Sequence, residues 1–196
     1  MPRATALLLL LLIAVSAAAA ASPVKARVLS GIGILLLRSE TANQRPALSL
    51  FKEPSLGRIA EIDAVLLPKL SQSLTSPEGF IPAIVTSKKL NWYRIGYDDG
   101  EREGWLEGRS SYQFYRWEEL LKNRQLTLIG GLRKEYYLLR RDPDVASESL
   151  EAVCKGSRVT SLLTEGDWIR VITEAKTQGW LRWRDDNSRL VIAVNL

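Results

Sequence analysis

Asn91-Trp92-Tyr93-Arg94-Ile95 leading to Gly104-Trp105-Leu106, and Asp167-Trp168-Ile169-Arg170-Val171 leading to Gly179-Trp180-Leu181, are two copies of one pattern. In each, a bulky tryptophan opens a run in which apolar and charged residues alternate, the signature of a half-buried strand. A polar stretch follows, and a Gly-Trp-aliphatic triplet brings the chain back. In the first copy the corner is Asp98-Asp99-Gly100, where Asp can bond its own backbone and Gly accepts a positive φ. The Trp-to-Trp spacing is 13 residues in the first copy and 12 in the second, so a tryptophan hairpin is the preserved unit.

Working outward, each hairpin is preceded by short β-prone runs. Upstream of the first lie Ile32 to Leu37, Ala47 to Phe51, Ile59 to Ile62 and Ala83 to Thr86, with Pro54 closing the second run. Upstream of the second lie Tyr136 to Leu139, Ser149 to Val153 and Val159 to Leu163. Pro54 precedes Trp92 by 38 residues, whereas Pro143 precedes Trp168 by 25, which places an insertion of 13 near 68–82, a Ser- and Pro-rich stretch that reads as a surface loop. Between the copies the period changes. Trp117, Leu120 and Leu121 fall at i, i+3 and i+4 beside Glu118, Glu119 and Lys122, predicting a short amphipathic helix. Tyr112, Phe114, Tyr115 and Trp117 surround this connector and are expected to glue the two halves together.

The N-terminus bears on compartment. Arg3 precedes an apolar run from Ala4 through Val15 and then Ala17 to Ala21, with small residues at Ala19 and Ala21, the layout of a secretory signal peptide cleaved after Ala21. An uncleaved segment acting as an anchor is the other reading. Loss of Arg3, the one charged residue in 1–21, takes the formal charge from +5 to +4. The basic residues are scattered among acids, with short runs only at Arg133-Lys134, Arg140-Arg141 and Arg182-Trp183-Arg184, so nucleic acid is not an expected partner.

The chain has no histidine, which excludes Ser-His-Asp and Cys-His catalysis and His-ligated metal. Cys154 is the only cysteine, so neither an internal disulfide nor a thiolate cluster can form; its alternating flanks predict a buried packing thiol. Ser49-Leu50-Phe51-Lys52 matches a Ser-x-x-Lys dyad in letters, but on a strand the two side chains point to opposite faces. Asp98-Asp99 and Asp185-Asp186 sit in turns, where solvated acids are the rule. No cofactor is expected, and the protein is expected not to be an enzyme.

The second copy, over about 138–183, resembles the bacterial SH3-like (SH3b) family through Arg140, Pro143, Lys155-Gly156, Val159, Gly166-Asp167-Trp168, Val171 and Gly179-Trp180-Leu181. It departs from the family pattern at Leu138 and Asp142. The first copy, over about 47–107, is similar through Pro54, Trp92, Ile95 and Gly104-Trp105-Leu106. The resemblance implies an all-β fold of two small SH3-like β barrels joined by a short helical connector after an N-terminal signal peptide. The units would be 1–21 (signal peptide), 28–110 (first module, with its insertion), 111–132 (connector) and 133–196 (second module). It also implies proteins of the cell envelope that bind wall peptide or glycan or position an attached enzyme.

In so small a barrel a Trp is first of all core material, so Trp92, Trp105, Trp168 and Trp180 are expected in or half in the core, with Trp117 and Trp183 freer. The candidate binding residues are Trp92, Tyr93, Trp105, Trp117, Trp168, Trp180 and Trp183. The expected function is that of an exported, periplasmic or envelope-associated binding or scaffolding protein recognising peptidoglycan or cell-wall peptide. The alternative is an assembly partner that binds another envelope protein through its barrel surfaces.

Overall fold

The computed structural model describes residues 27–38, 46–70 and 73–196; the expected signal peptide, 1–21, lies outside them. The chain is mostly β-structure with little helix, arranged in two sheets. Its elements are β1 (Gly33–Arg38), β2 (Ala47–Glu53), β3 (Leu56–Asp63), β4 (Leu74–Thr75), β5 (Phe80–Lys89), β6 (Trp92–Gly96), β7 (Glu103–Glu107), β8 (Gln113–Arg116), α1 (Trp117–Leu121), β9 (Gln125–Leu128), β10 (Leu138–Arg140), β11 (Ser149–Ala152), β12 (Arg158–Glu165), β13 (Trp168–Thr173), β14 (Gln178–Arg182) and β15 (Ile192–Asn195). The first sheet runs β3-β2-β7-β6-β5-β1-β8 and the second β11-β10-β14-β13-β12-β9-β15-β4.

The two tryptophan hairpins have the same register. In β6–β7, Ile95 pairs with Gly104, Arg94 with Trp105 and Tyr93 with Leu106. In β13–β14, Val171 pairs with Gly179, Arg170 with Trp180 and Ile169 with Leu181. The corner of the first hairpin differs from expectation in one detail: Glu101, not Gly100, takes the left-handed conformation, at φ 60°. The Asp98 carboxylate accepts from the Arg102 backbone N–H at 2.9 Å and the Glu101 N–H bonds the Asp98 carbonyl, which fixes the turn around Asp98.

Two hydrophobic cores share strands. Leu35, Leu37, Leu48, Leu50, Val85, Ile95 and Leu106 fill the first sheet. Ile34, Leu36 and Ile84, on the opposite faces of β1 and β5, fill a second core with Leu126, Val159, Ile169, Val171 and Leu181 from the other sheet. β1 therefore buries both faces, which explains its unbroken Ile-Leu-Leu-Leu run. Strand β8 divides its residues the same way, with Phe114 packed on the first core and Tyr115 on the second.

Among its described residues the 68–82 stretch is not wholly the surface loop that the sequence predicts. Leu70 and Leu74 are 5% and 3% exposed and belong to the second core, and β4 joins the second sheet by parallel pairing of Leu74 with Val194. An apolar pair inside a Ser- and Pro-rich stretch supplies the reason: burial of two leucines outweighs local turn chemistry. Tyr136 to Leu139 is likewise split, since Lys134–Tyr137 forms a 3-10 turn and only Leu138–Arg140 is strand. Cys154 is exposed rather than packed; the adjacent Val153 takes the core position, one residue earlier in the alternation.

Candidate functional site

A groove of about 340 Å³ lies where the halves of the chain meet. Its apolar floor includes Val28, Leu70, Pro82 and Ile84, and its mouth carries Lys69, Asp98, Asp99, Glu101 and Arg189. The segment before β1 forms one wall. It is stitched to the β14–β15 turn by Ser30 N–H to the Ser188 carbonyl (2.7 Å), Leu190 N–H to the Val28 carbonyl (2.9 Å) and an Arg27–Asp185 ion pair at 2.6 Å. Asp185, 4% exposed, also accepts from the backbone N–H groups of Asn187 and Arg189, so its charge is compensated and it holds a turn. Across the mouth, Arg189 pairs with Glu101 at 2.6 Å, tying the first hairpin's corner to the second half of the chain.

The ions of the mouth are largely matched. Asp98 is held below the usual carboxylate range, first by the Arg102 backbone N–H and then by the Arg102 guanidinium. Glu103 pairs with Arg94 at 2.8 Å. Gly96 borders the groove, and open space stands where a side chain on it would project. The arrangement offers an apolar slot with a polar, charge-balanced entrance, in the size range of sites that take a small ligand or one segment of a polymer.

The seven aromatic residues singled out by sequence fall in three places. Trp117 and Trp183 are each 2% exposed and stack on one another in the second core, so neither is free to meet a ligand. Each indole N–H is satisfied inside, by the Ser30 carbonyl at 2.7 Å and the Gly166 carbonyl at 2.9 Å respectively. Tyr93 is half-buried, faces the first core and packs on Phe114. Trp92, Trp105, Trp168 and Trp180 stand on the sheet faces turned away from the cores, because their neighbours Ile95, Leu106, Val171 and Leu181 take the inward positions. The glycine of each Gly-Trp-Leu triplet also faces inward. A Cβ on Gly179 would lie 2.6 Å from Leu139 Cγ, so the close approach of β10 to β14 requires glycine there.

The outer faces differ. Trp105 is 3% exposed, with Phe51 and Arg94 as cross-strand neighbours and the Lys89 ammonium 5.0 Å above its ring. Trp92, half-buried, meets the Phe51 ring edge-on. Trp168 and Trp180 are half-buried, and Arg182 lies over Trp168. Among the described residues no group of three or more Asp, Glu or Cys side chains could hold a metal ion. The groove was not legible in the sequence: its floor comes from three stretches far apart in the chain, and no local pattern announces it.

The fold thus defines a β-rich protein of two sheets fused through a shared core, with a groove at the junction. No protein-family model matches the chain, and no curated protein matches it. Among solved structures it is similar to the structure of NlpC1 from Trichomonas vaginalis, with 10% sequence identity and a TM-score of 0.32, over 83% of this chain. The chain spans about half of that structure's length, 50%.

Proposed function

We propose that this chain is an exported, non-enzymatic binding or scaffolding protein of the bacterial cell envelope, built of two SH3-like modules, that takes a segment of cell-wall peptide or glycan in the junction groove. One observation carries this reading: the first half of the chain walls the groove with β5–β6, the segment before β1 and the stretch around Leu70, and the second half closes it with Arg189, which is paired to Glu101 at the mouth. That is the behaviour of a preformed recognition site on a rigid scaffold. The signal-peptide layout of 1–21 supports export, and no helix among the described residues is long and apolar enough to cross a membrane.

The test is co-sedimentation of residues 22–196 with purified peptidoglycan sacculi at low and high salt. Salt-resistant pelleting that is lost in Gly96→Trp, a substitution that fills the groove from its open side, supports the reading. Pelleting at low salt only reduces it to bare charge attraction, and pelleting indifferent to Gly96→Trp removes the groove from it.

A second reading has its own observation. β3 is an edge of the first sheet, eight residues long and mostly exposed, with Leu56 and Ile59 68% and 46% accessible. A long exposed edge of this kind accepts an added strand from another protein. Co-purification of an envelope protein that is lost on Ile59→Pro would favour the assembly role.

A further inference from the structure

The outer face of the second sheet carries an arrangement that the groove does not use. Arg140 pairs with Trp180, Trp180 with Arg170 and Arg170 with Leu163, so these four side chains form one row across β10, β14, β13 and β12. The adjoining row holds Arg182, Trp168 and Glu165. Neighbouring strands lie about 4.8 Å apart, so the backbones bearing Arg140 and Arg170 flank the indole of Trp180 at a mutual distance of about 10 Å.

The charges of this row are open. Arg140 donates to the Ser147 carbonyl at 2.6 Å and Arg170 to the Gln178 side chain at 3.4 Å, and neither is ion-paired among the described residues. Arg182, in contrast, is engaged by Asp186 at 2.7 Å and Asp167 at 3.6 Å, and Glu165 marks the acidic border of the face.

The first sheet shows the same row in closed form. There Phe51, Trp105 and Arg94 stand side by side, Arg94 is paired with Glu103, Lys89 with Glu53, and Lys89 covers the buried Trp105. The two hairpins have one register, yet one presents a capped indole among matched ions and the other a half-exposed indole between two unmatched guanidinium groups. Surface ion pairs contribute little to stability, so folding alone does not dictate which face is left open.

We infer that the Arg140–Trp180–Arg170 row binds an anionic glycan, a pyranose ring lying on Trp180 with acid substituents held by the two arginines. The indole face is negative by its quadrupole and takes the C–H face of a sugar. Guanidinium forks match carboxylates bidentately. A neutral sugar leaves both arginines unmatched, and an acidic peptide has no ring for the indole.

The test titrates residues 22–196 with three soluble probes: oligogalacturonate, which has rings and carboxylates; dextran, with rings only; and polyglutamate, with carboxylates only. Oligogalacturonate is expected to bind at least tenfold more tightly than either other probe. Trp180→Ala, and separately the double variant Arg140→Gln/Arg170→Gln, are each expected to weaken it at least tenfold with the fold intact by near-ultraviolet circular dichroism. Gly96→Trp, which blocks the groove, is expected to leave this binding unchanged, so the failure of one site is read apart from the failure of the other. Polyglutamate binding equal to that of oligogalacturonate, no oligogalacturonate binding, or indifference of the arginine double variant would overturn the inference. Because the arginine variant leaves Trp180 in place, it decides the matter even if Trp180→Ala misfolds.

Discussion

Trp117 and Trp183 pack with their ring centroids 5.4 Å apart, one on the helix between the sheets and the other following the last strand of the second hairpin. They sit in a core that also contains Ile34 and Leu36 from the first sheet, so this contact belongs to neither half alone. The joint is built of buried aromatic surface rather than of a flexible linker.

Replacing either indole by Ala is therefore expected to destabilise the whole chain by about 3–5 kcal/mol. The loss includes the bond from the Trp117 indole N–H to the Ser30 carbonyl, which tethers the segment lining the groove. Denaturant unfolding followed by fluorescence and by far-ultraviolet circular dichroism should give coincident single transitions for the parent and for Trp183→Ala. Two separated transitions in the parent protein would contradict a shared core.

Ile34 and Leu35 are adjacent, both 0% exposed, and face different cores. Each Ala substitution is expected to cost about 2–5 kcal/mol, because β1 has no solvent face. A cost under about 0.5 kcal/mol at either position, the range of surface changes, would show that one of the two faces is not packed.

Gly179 and Gly96 separate the structural glycine from the spare one. Gly179→Ala would bring Cβ within 2.7 Å of the Arg140 carbonyl oxygen, a backbone atom that cannot swing aside, and is expected to cost about 1–3 kcal/mol. Gly96→Ala meets nothing within 4 Å and should lie within about 0.5 kcal/mol of the parent. Melting curves of the two variants decide this, and equal stabilities would contradict the close approach of β10 and β14.

Asp98 and Asp186 are expected to titrate below the usual carboxylate range. For Asp186 the leading cause is the hydrogen bond from the Arg182 side chain. Since the folded-state values are depressed, any stability these groups contribute is fully present above the unfolded-state value and is lost as pH falls through the folded-state value. Carboxyl-carbon resonances followed from about pH 6 downward should place both midpoints below that of an aspartate in an unstructured peptide; midpoints at or above it would remove the arginine contacts from solution.

Cys154 should react with a thiol reagent in the folded protein, one equivalent per chain, without denaturant. Protection until unfolding would restore the packed position that its sequence context suggests.

The repeat, the strand character of its runs and the position of the hairpins were legible because strand alternation and turn chemistry are local. Alternation states that Trp105 and Leu106 point to opposite faces, as do Trp180 and Leu181. It does not state which face meets a core. The sequence places the four hairpin indoles in or half in the core; Trp105 is buried, while the closely approaching strands admit Gly179 and Leu181 to the second core and leave Trp180 half-buried on the outer face. Trp183, between two arginines, reads as exposed and is buried, because what covers it is Trp117, 66 residues earlier in the chain.

By itself, then, the sequence determined a duplicated β-hairpin protein without histidine or an internal disulfide, since composition and two-residue periodicity are properties of the chain alone. Tertiary structure decided that β1 and β5 serve two cores, that Leu70 and Leu74 are buried in the second of them, and that a groove opens at the junction. It also decided that one tryptophan face is capped and its copy left open. The physical reason is the same in each case: burial depends on which distant surface arrives to exclude water, and no local period encodes that arrival.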